Sequence, residues 1–428
     1  MQHGGLSHII LGRQIYYLIA DPEDALTASN ACLQKHFAFD FGKAWLGDGL
    51  VTGSGEIWKR HRKLLYPAFG LPIIHGFLGV FNDQAKKLCK NLEVFAGKGP
   101  FDHNDPLRTV ALETFCLGTF GVNAVEDENF TKTYMDSVDT AMDMATNRFF
   151  KFYLHSDFVY RLSGIKKKEE TVVNAMNSMS TELMQRKKVI LKNDAFNKNN
   201  DIKSNDLKFK PVMDLLLELS MDGTMSDKEI REEMDTMIAA GFETTSNSLL
   251  FTLLLLGAHP QTQQKMLQEV LEVLGPDRDV EKDDIPKLVY TNAVIMESLR
   301  MFPAVPVLPR YVDKDVKLKN FTMRAGSQCV LYPLISRCDP TYGEDGEIFR
   351  PERWLDTDLS ASKEYAAFGL GKRSCIGRQY AVISMKVSLS HLIRQYKIKA
   401  DMSQLRTKCI FVLKALSGHE ISIEKRES

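Results

Sequence analysis

The stretch Phe368-Gly369-Leu370-Gly371-Lys372-Arg373-Ser374-Cys375-Ile376-Gly377 decides how this chain reads. Two glycines precede a cysteine and a third follows it two residues on. A long helical pattern begins directly afterwards, from about Gly377 to Tyr396. Such a loop must turn tightly and bring its backbone close to something. Cys375 falls at the N-terminus of the helix, where unpaired N–H groups and the positive dipole end favour a thiolate over a thiol. A thiolate so placed can ligate a metal. The competing reading is a plain buried cysteine in a glycine-rich turn. It accounts for an isolated Gly-x-x-Cys but poorly for the whole decapeptide.

Working outward, the next chemistry-bearing segment upstream is Pro351-Glu352-Arg353-Trp354. Further upstream, Glu297-Ser298-Leu299-Arg300 puts a carboxylate and a guanidinium three apart on one helix face. Alone, that pair reads as a surface ion pair. Ala239-Ala240-Gly241-Phe242-Glu243-Thr244-Thr245-Ser246 lies in the helical pattern from Asp227 to Ala258. By itself it is an amphipathic helix whose hydroxyls bond back to carbonyls. Trp58 and Arg62 stand four apart, on one face of another helix, and Arg310 closes a proline-rich run from Pro303.

The rest of the chain is mainly helical. Ser7–Leu11 and Gln14–Ile19 read as strands split by Gly12-Arg13, and Asp21-Pro22 reads as a helix start. Apolar residues at three- and four-residue spacing predict helices over Phe81–Phe95, Pro106–Phe120, Phe130–Met144, Thr171–Leu191, Pro260–Leu274 and Ile285–Phe302. Asn193–Lys210, rich in Asn, Lys and Asp, reads as a loop. Val316–Phe321 and Gln328–Tyr332 read as strands, and Val412–Ile423 as a hairpin about Ser417-Gly418.

The 428 residues are 44% hydrophobic and 26% charged, with no net charge, so nothing global points to nucleic acid. The seven cysteines show no metal or redox spacing and fit a reducing compartment. The longest apolar stretch, Leu249–Ala258, is half of the roughly 20 residues that span a bilayer and reads as a buried helix. No dinucleotide-binding glycine fingerprint is visible.

Phe368, Gly371, Arg373, Cys375 and Gly377 together resemble the haem-binding loop of the cytochrome P450 family, and the other segments resemble its further motifs in order. The resemblance covers nearly the whole chain. It implies the mainly α cytochrome P450 fold with a minor β lobe, as a single catalytic domain over residues 1–428. It implies haem b, with Cys375 as the axial iron ligand. Trp58, Arg62, Arg310 and Arg373 would bind the propionates, Phe368 would pack beside the sulfur, and Gly241 would sit where a helix passes over the iron. Glu243 and Thr244 resemble the acid–alcohol pair that relays protons to dioxygen; a hydroxyl suits this because it both donates and accepts. Glu297, Arg300 and Arg353 would form a structural network beneath the haem.

The activity implied is monooxygenation of an apolar small molecule, with NADPH–cytochrome P450 reductase as electron donor and cytochrome b5 as a second one. Location at the cytoplasmic face of the endoplasmic reticulum membrane, with peripheral membrane contact, goes with it, although the family's N-terminal anchor is missing from this sequence. Trp45-Leu46-Gly47-Asp48-Gly49-Leu50 and Tyr66-Pro67-Ala68-Phe69 are most similar to the fatty-acid ω-hydroxylase clan as found in insects. Two departures stand out. Ala240 occupies the position of a glutamate that esterifies the haem in that clan, so the haem is expected to be non-covalent apart from the Cys375 bond. Ser336 replaces a usual histidine. Two other readings stay open on sequence: a haem- or ligand-binding protein without turnover, and a haem-thiolate peroxide isomerase or lyase. Retention of Glu243 and Thr244 speaks against the last.

Overall fold

The structure is a computed structural model that describes residues 6–11, 14–121, 128–198, 212–333, 342, 344–355, 365–409 and 411–426. In chain order, strands β1 (Leu6–Leu11) and β2 (Gln14–Ile19) precede helix α1 (Pro22–Ala31) and strand β3 (Gln34–Lys35). Helices α2 (Lys43–Leu46), α3 (Gly55–Leu65), α4 (Leu71–Gly76), α5 (Leu78–Leu92), α6 (Asn104–Phe115), α7 (Glu128–Phe150), α8 (Asp157–Leu162), α9 (Ile165–Lys198) and α10 (Val212–Met221) follow. Then come α11 (Asp227–Ala258), α12 (Pro260–Leu274) and α13 (Val289–Met301), and strands β4 (Leu308–Tyr311), β5 (Val316–Lys317), β6 (Thr322–Met323) and β7 (Gln328–Leu331). Helix α14 (Arg378–Gln395) and strands β8 (Tyr396–Ala400), β9 (Arg406–Cys409), β10 (Leu413–Ser417) and β11 (Ile421–Lys425) complete it. The chain is mainly α with a minor β portion, as the sequence leads one to expect.

Packing divides these elements into two units. The first comprises residues 1–36, 82–107 and 244–428; the second comprises residues 37–81 and 108–243. In the first unit a five-stranded sheet has the order β1-β2-β7-β4-β3. The N-terminal hairpin β1–β2 therefore joins the middle of the chain through parallel pairing of β2 with β7. Helix α1 starts where the sequence indicates: Pro22 opens it, and the Asp21 carboxylate caps it by accepting the Asp24 N–H at 2.9 Å. Its buried Ala25, Ala28 and Cys32 pack with Cys329 and Leu331 of the sheet in one core cluster. Helix α12 likewise opens with Pro260 and ends at Gly275, whose φ of 69° favours glycine.

Two sequence readings are corrected. Asn193 does not begin a loop, because α9 continues to Lys198; residues 199–211 lie outside the described residues. Its lysines and asparagines are tolerated in a helix when a preceding long helix propagates through them, since only nucleation is costly. Val412–Ile423 is not a self-paired hairpin either. Strand β10 pairs with β9, and β11 pairs with β8. The reason lies in burial: Ile421 and Ile423 sit on the same face, as do Tyr396 and Ile398 opposite, and all four are buried.

The expected Glu297–Arg300–Arg353 network is present in the first unit, and it is buried rather than superficial. Glu297 accepts Arg300 Nε at 2.8 Å, Arg353 Nε at 2.9 Å, Trp354 Nε1 at 2.8 Å and the Arg350 backbone N–H at 3.0 Å. A carboxylate this deeply buried is tolerable only because its lone pairs are filled and two guanidinium charges face it. Replacing Glu297 by alanine strands both arginines, and the expected loss is about 3–5 kcal/mol. Urea unfolding of the purified protein checks this; a loss below 1 kcal/mol would mean the network is dispensable.

Candidate haem site

The loop that carries Cys375 is built from two left-handed glycines. Gly369 has φ of 72° and Gly371 has φ of 64°. Gly371 has a second reason to lack a side chain: a Cβ there would lie 2.6 Å from Asn30 Oδ1 of α1. That amide oxygen instead accepts the Lys372 N–H at 3.2 Å, and Arg373 Nε donates to the Leu33 carbonyl at 2.8 Å. The loop is thus bonded along the end of α1. Its two limbs close on each other through the Cys375 N–H donating to the Phe368 carbonyl at 2.8 Å. Cys375 itself is exposed, two residues before Gly377, the N-cap of α14. Of the six described cysteines, only Cys375 and Cys409 are exposed. Cys375 alone sits at a helix start, where the sulfur can hold a negative charge.

A chain of contacts within the first unit ties this loop to the Glu297 network. Trp354, bonded to Glu297, meets the Tyr365 ring edge-on at 5.0 Å between centroids. Tyr365 meets Phe368 at 6.4 Å, and the Arg378 guanidinium stands over the Phe368 ring at 5.5 Å. Phe368 therefore spaces the loop through its ring and braces it through its carbonyl.

The cations beside the loop test whether a dianionic haem fits. Arg310 on β4 is buried, yet its Nε has no hydrogen-bond partner among the described residues. Its NH1 donates to the carbonyl of Pro309 at 2.9 Å. Directly opposite in the β3–β4 register stands Lys35. Burial, and then the positive charges of Arg310 and Arg373, push the Lys35 ammonium well below the usual lysine range. Like charges facing each other across a strand pair are destabilising. The buried Arg310, with its Nε unpartnered among the described residues and further positive charge from Lys35 and Arg373 beside it, suits an anionic group, and a carboxylate on the edge of a porphyrin is one. The residues present fit the group.

Trp58 and Arg62 belong to the second unit, on α3. Trp58 is buried, and Arg62 is partly exposed with its guanidinium 5.7 Å from the Tyr66 ring centre. Along α11 almost every residue from 232 to 256 is buried, but Ala240 is exposed and Gly241 and Thr244 are only partly buried. These three share one helix face, at spacings of one and four. Thr245, one step round the helix, is buried. The face expected to address dioxygen is therefore the open one.

Glu243 sits elsewhere than its sequence neighbour Thr244 suggests. Its buried carboxylate accepts Arg108 Nε at 3.1 Å and faces Arg108 NH2 at 3.0 Å. Arg108, on α6, also grips Asp139 of α7 with both terminal nitrogens, at 2.8 and 3.0 Å. Arg108 and Asp139 carried no signal in the sequence, because 135 residues separate Arg108 from its partner Glu243. The same holds for Lys35, an ordinary lysine until β3 is laid against β4. Gly241 has a packing role that spacing alone did not reveal: a Cβ there would stand 2.1 Å from Cε2 of Phe115.

An exposed cysteine at a helix start, in the same unit as a buried and incompletely partnered Arg310, is an arrangement that suits a haem-thiolate protein. Comparison with known proteins agrees. The cytochrome P450 family model matches residues 4–418. Cytochrome P450 4d2 of Drosophila melanogaster is 28% identical, covering 99% of this chain and 87% of its own length. Cytochrome P450 4V2 of Rattus norvegicus is 29% identical over 95% of this chain and 79% of its own length. Cytochrome P450 4c21 of Blattella germanica is 30% identical over 91% and 79%. This chain belongs to the cytochrome P450 family. It is a haem-thiolate monooxygenase that binds haem b through a cysteine thiolate, receives electrons from NADPH through a reductase and acts on a small organic molecule. Relatives of this kind are typically membrane-associated.

Gly241→Ala weighs a helix gain of about 1 kcal/mol against overpacking of about 1–3 kcal/mol. At 2.1 Å from an aromatic ring the clash wins. The variant should unfold at lower urea concentration than the parent. A raised midpoint would show that Phe115 yields freely.

Proposed function

We propose that this enzyme inserts one oxygen atom into an apolar substrate using Cys375 as the haem ligand and Thr244 as the last protein group on the proton path. The observation that carries this reading is the pairing of a helix-start cysteine with the buried Arg310, flanked by the partly buried Lys35 and Arg373. Bound through the thiolate, haem supplies the reduction and cleavage of dioxygen, favoured by electron density from sulfur. The chain's own residues do the rest. Arg310 and Arg373, both in the first unit, hold propionates; the same role for Trp58 and Arg62 rests on the family resemblance alone. Phe368 packs beside the sulfur, and Gly241 lets the backbone approach the ring.

Thr244 holds a water or proton at its hydroxyl on the open face of α11, while Glu243 supplies charge from the interior side. Glu243 is ion-paired with Arg108 at 3.0 Å. A proton that reaches Thr244 by way of Glu243 must therefore first compete with that ion pair. With Ala240 in place of a glutamate, the chain offers no carboxylate there for a haem ester, so the haem is held non-covalently.

Membrane attachment, at the cytoplasmic face of the endoplasmic reticulum, finds support in the second unit. Phe150, Phe152, Tyr153, Phe158 and Leu162 are each more than 60% exposed within thirteen residues. Lys166, Lys167 and Lys168 follow at the start of α9. Large exposed aromatics flanked by lysines suit the interface of an anionic bilayer. Helix α11 is the one described helix long and apolar enough to cross a membrane, but 78% of its apolar window is buried, as in a core helix. Cytochrome b5 would serve as a second electron donor beside the reductase.

Turnover of an apolar substrate with reductase, NADPH and isotopically labelled dioxygen tests the reading. One labelled atom should enter product. Thr244→Ala should still bind haem and consume NADPH, with less product per NADPH and more hydrogen peroxide. Positioned proton transfer contributes about 10²–10⁴-fold, so the change should be plain. Thr245→Ala, about 100° round the helix, is the control. Unchanged coupling in Thr244→Ala, or equal damage from Thr245→Ala, would remove Thr244 from the path.

A further inference from the structure

Helix α3 buries Trp58, His61 and Leu65, spaced three and four apart. An apolar stripe alone fixes a helix against its neighbour poorly, because side chains of similar size repack after a small rotation. A buried polar group fixes it much better, since only one register satisfies it. In α3 that group is His61, which is fully buried.

His61 Nδ1 lies 2.7 Å from Glu233 Oε1, and its Nε2 lies 3.4 Å from Glu229 Oε1. Both glutamates are on α11. The other oxygen of Glu233 accepts the Leu50 N–H at 3.2 Å, and neighbouring Glu232 accepts the Asp48 N–H at 3.1 Å. That segment fits so closely that a Cβ on Gly47 would meet the Glu232 side chain at 2.0 Å and one on Gly49 would meet Thr236 Oγ1 at 2.2 Å.

The charged groups around His61 come from every element packed on it. Helix α3 itself brings Arg60, which pairs with Glu229 and donates to the Thr224 carbonyl at 2.9 Å. Helix α11 brings Glu229, Glu232 and Glu233. The segment before α3 brings Asp48, paired with Lys43 at 3.1 Å. Ser226 donates to Glu229 through N–H and hydroxyl, at 2.8 and 2.9 Å. Burial opposes charge on His61, but the bonds to Glu233 and Glu229 outweigh it and raise the imidazole above its ordinary value. An imidazolium donates from both nitrogens; a neutral ring donates from one.

We infer that His61 is a positioning residue: its buried bond to Glu233 fixes the rotation of α3 on α11, and so the direction in which Trp58 and Arg62 meet the haem carboxylates. This rests on the assignment of Trp58 and Arg62 made above. Arg62 is one residue, about 100°, from His61, so a rotation that loosens the pin turns the guanidinium with it. The sign of the pH effect follows from the raised imidazole. The charge assistance to the pin is present below the ordinary histidine range and is lost as pH rises through the folded-state value, where the neutral ring still donates from Nδ1 while Nε2 faces Arg60 NH2 at 3.1 Å.

Haem transfer from the holoprotein to excess apomyoglobin, followed from pH 6 to pH 9, tests the inference. The parent should release haem faster as pH rises. His61→Gln should release it about ten- to a hundredfold faster at the low end, the factor carried by one charge-assisted bond, with little dependence on pH. Because a stranded Glu233 could unfold that variant, His61→Leu with Glu233→Leu is measured beside it. An apolar pair of this kind keeps stability, and its haem release should be independent of pH. Parental rates and pH dependence in the double variant would overturn the inference, as would parental release from His61→Gln with only a lowered urea midpoint. Arg62→Gln separates the two levels: fast release there with parental release in His61→Gln sinks the positioning role alone, and parental release there sinks the propionate assignment and the inference with it.

Discussion

A sulfur proposed to stay ionised constrains everything around it. A charge on Cys375 is favoured because the N-cap of α14, Gly377, follows two residues later and the helix start offers unpaired N–H groups and a positive end. That placement requires the chain to double back between Phe368 and Cys375, which the positive φ angles of Gly369 and Gly371 allow. The fold then holds the turn from two sides. Asn30 and Leu33 bond it along α1, and the ring contacts Trp354–Tyr365–Phe368 tie it to Glu297. Glu297 is in turn filled by two arginines, an indole and a backbone N–H. Interactions of Glu297, far upstream of the sulfur, thus decide where the sulfur is.

The same logic extends to the cations. Lys35 and Arg310 face each other across two short strands, a like-charge pairing that costs stability, and Arg310 Nε has no hydrogen-bond partner among the described residues. A protein keeps such a cost when a ligand supplies the missing charge. Preorganised cations of this kind bind a dianion without rearranging at the moment of binding. In the second unit the balance is reversed: Glu229, Glu232 and Glu233 form an acidic cluster that Arg60, His61 and backbone N–H groups neutralise from within the protein.

How much of this could be read beforehand depends on range. The Cys375 loop, the start of α1 and the ends of α11 and α12 were legible because caps, glycines and periodicity act within a few residues. The Glu297 network was legible only through resemblance, since an acid–base pair three apart says nothing about burial. Arg108 and Asp139 were illegible: they gain meaning only when α6, α7 and α11 pack. The pairing of β10 with β9 rather than β11 was missed for a similar reason, because two candidate partners had equal local credentials and burial of Ile421 and Ile423 chose between them. His61 lies inside Lys59-Arg60-His61-Arg62-Lys63, and four flanking cations give no local sign that the residue between them is buried.

The account stands on Cys375 being the iron ligand. The most direct measurement is the carbon monoxide difference spectrum of the reduced, haem-loaded protein, taken on the parent, on Cys375→Ala and on Cys409→Ala, the other exposed cysteine. The account predicts a thiolate-type band in the parent and in Cys409→Ala, and none in Cys375→Ala. A thiolate-type band that survives in Cys375→Ala would contradict it.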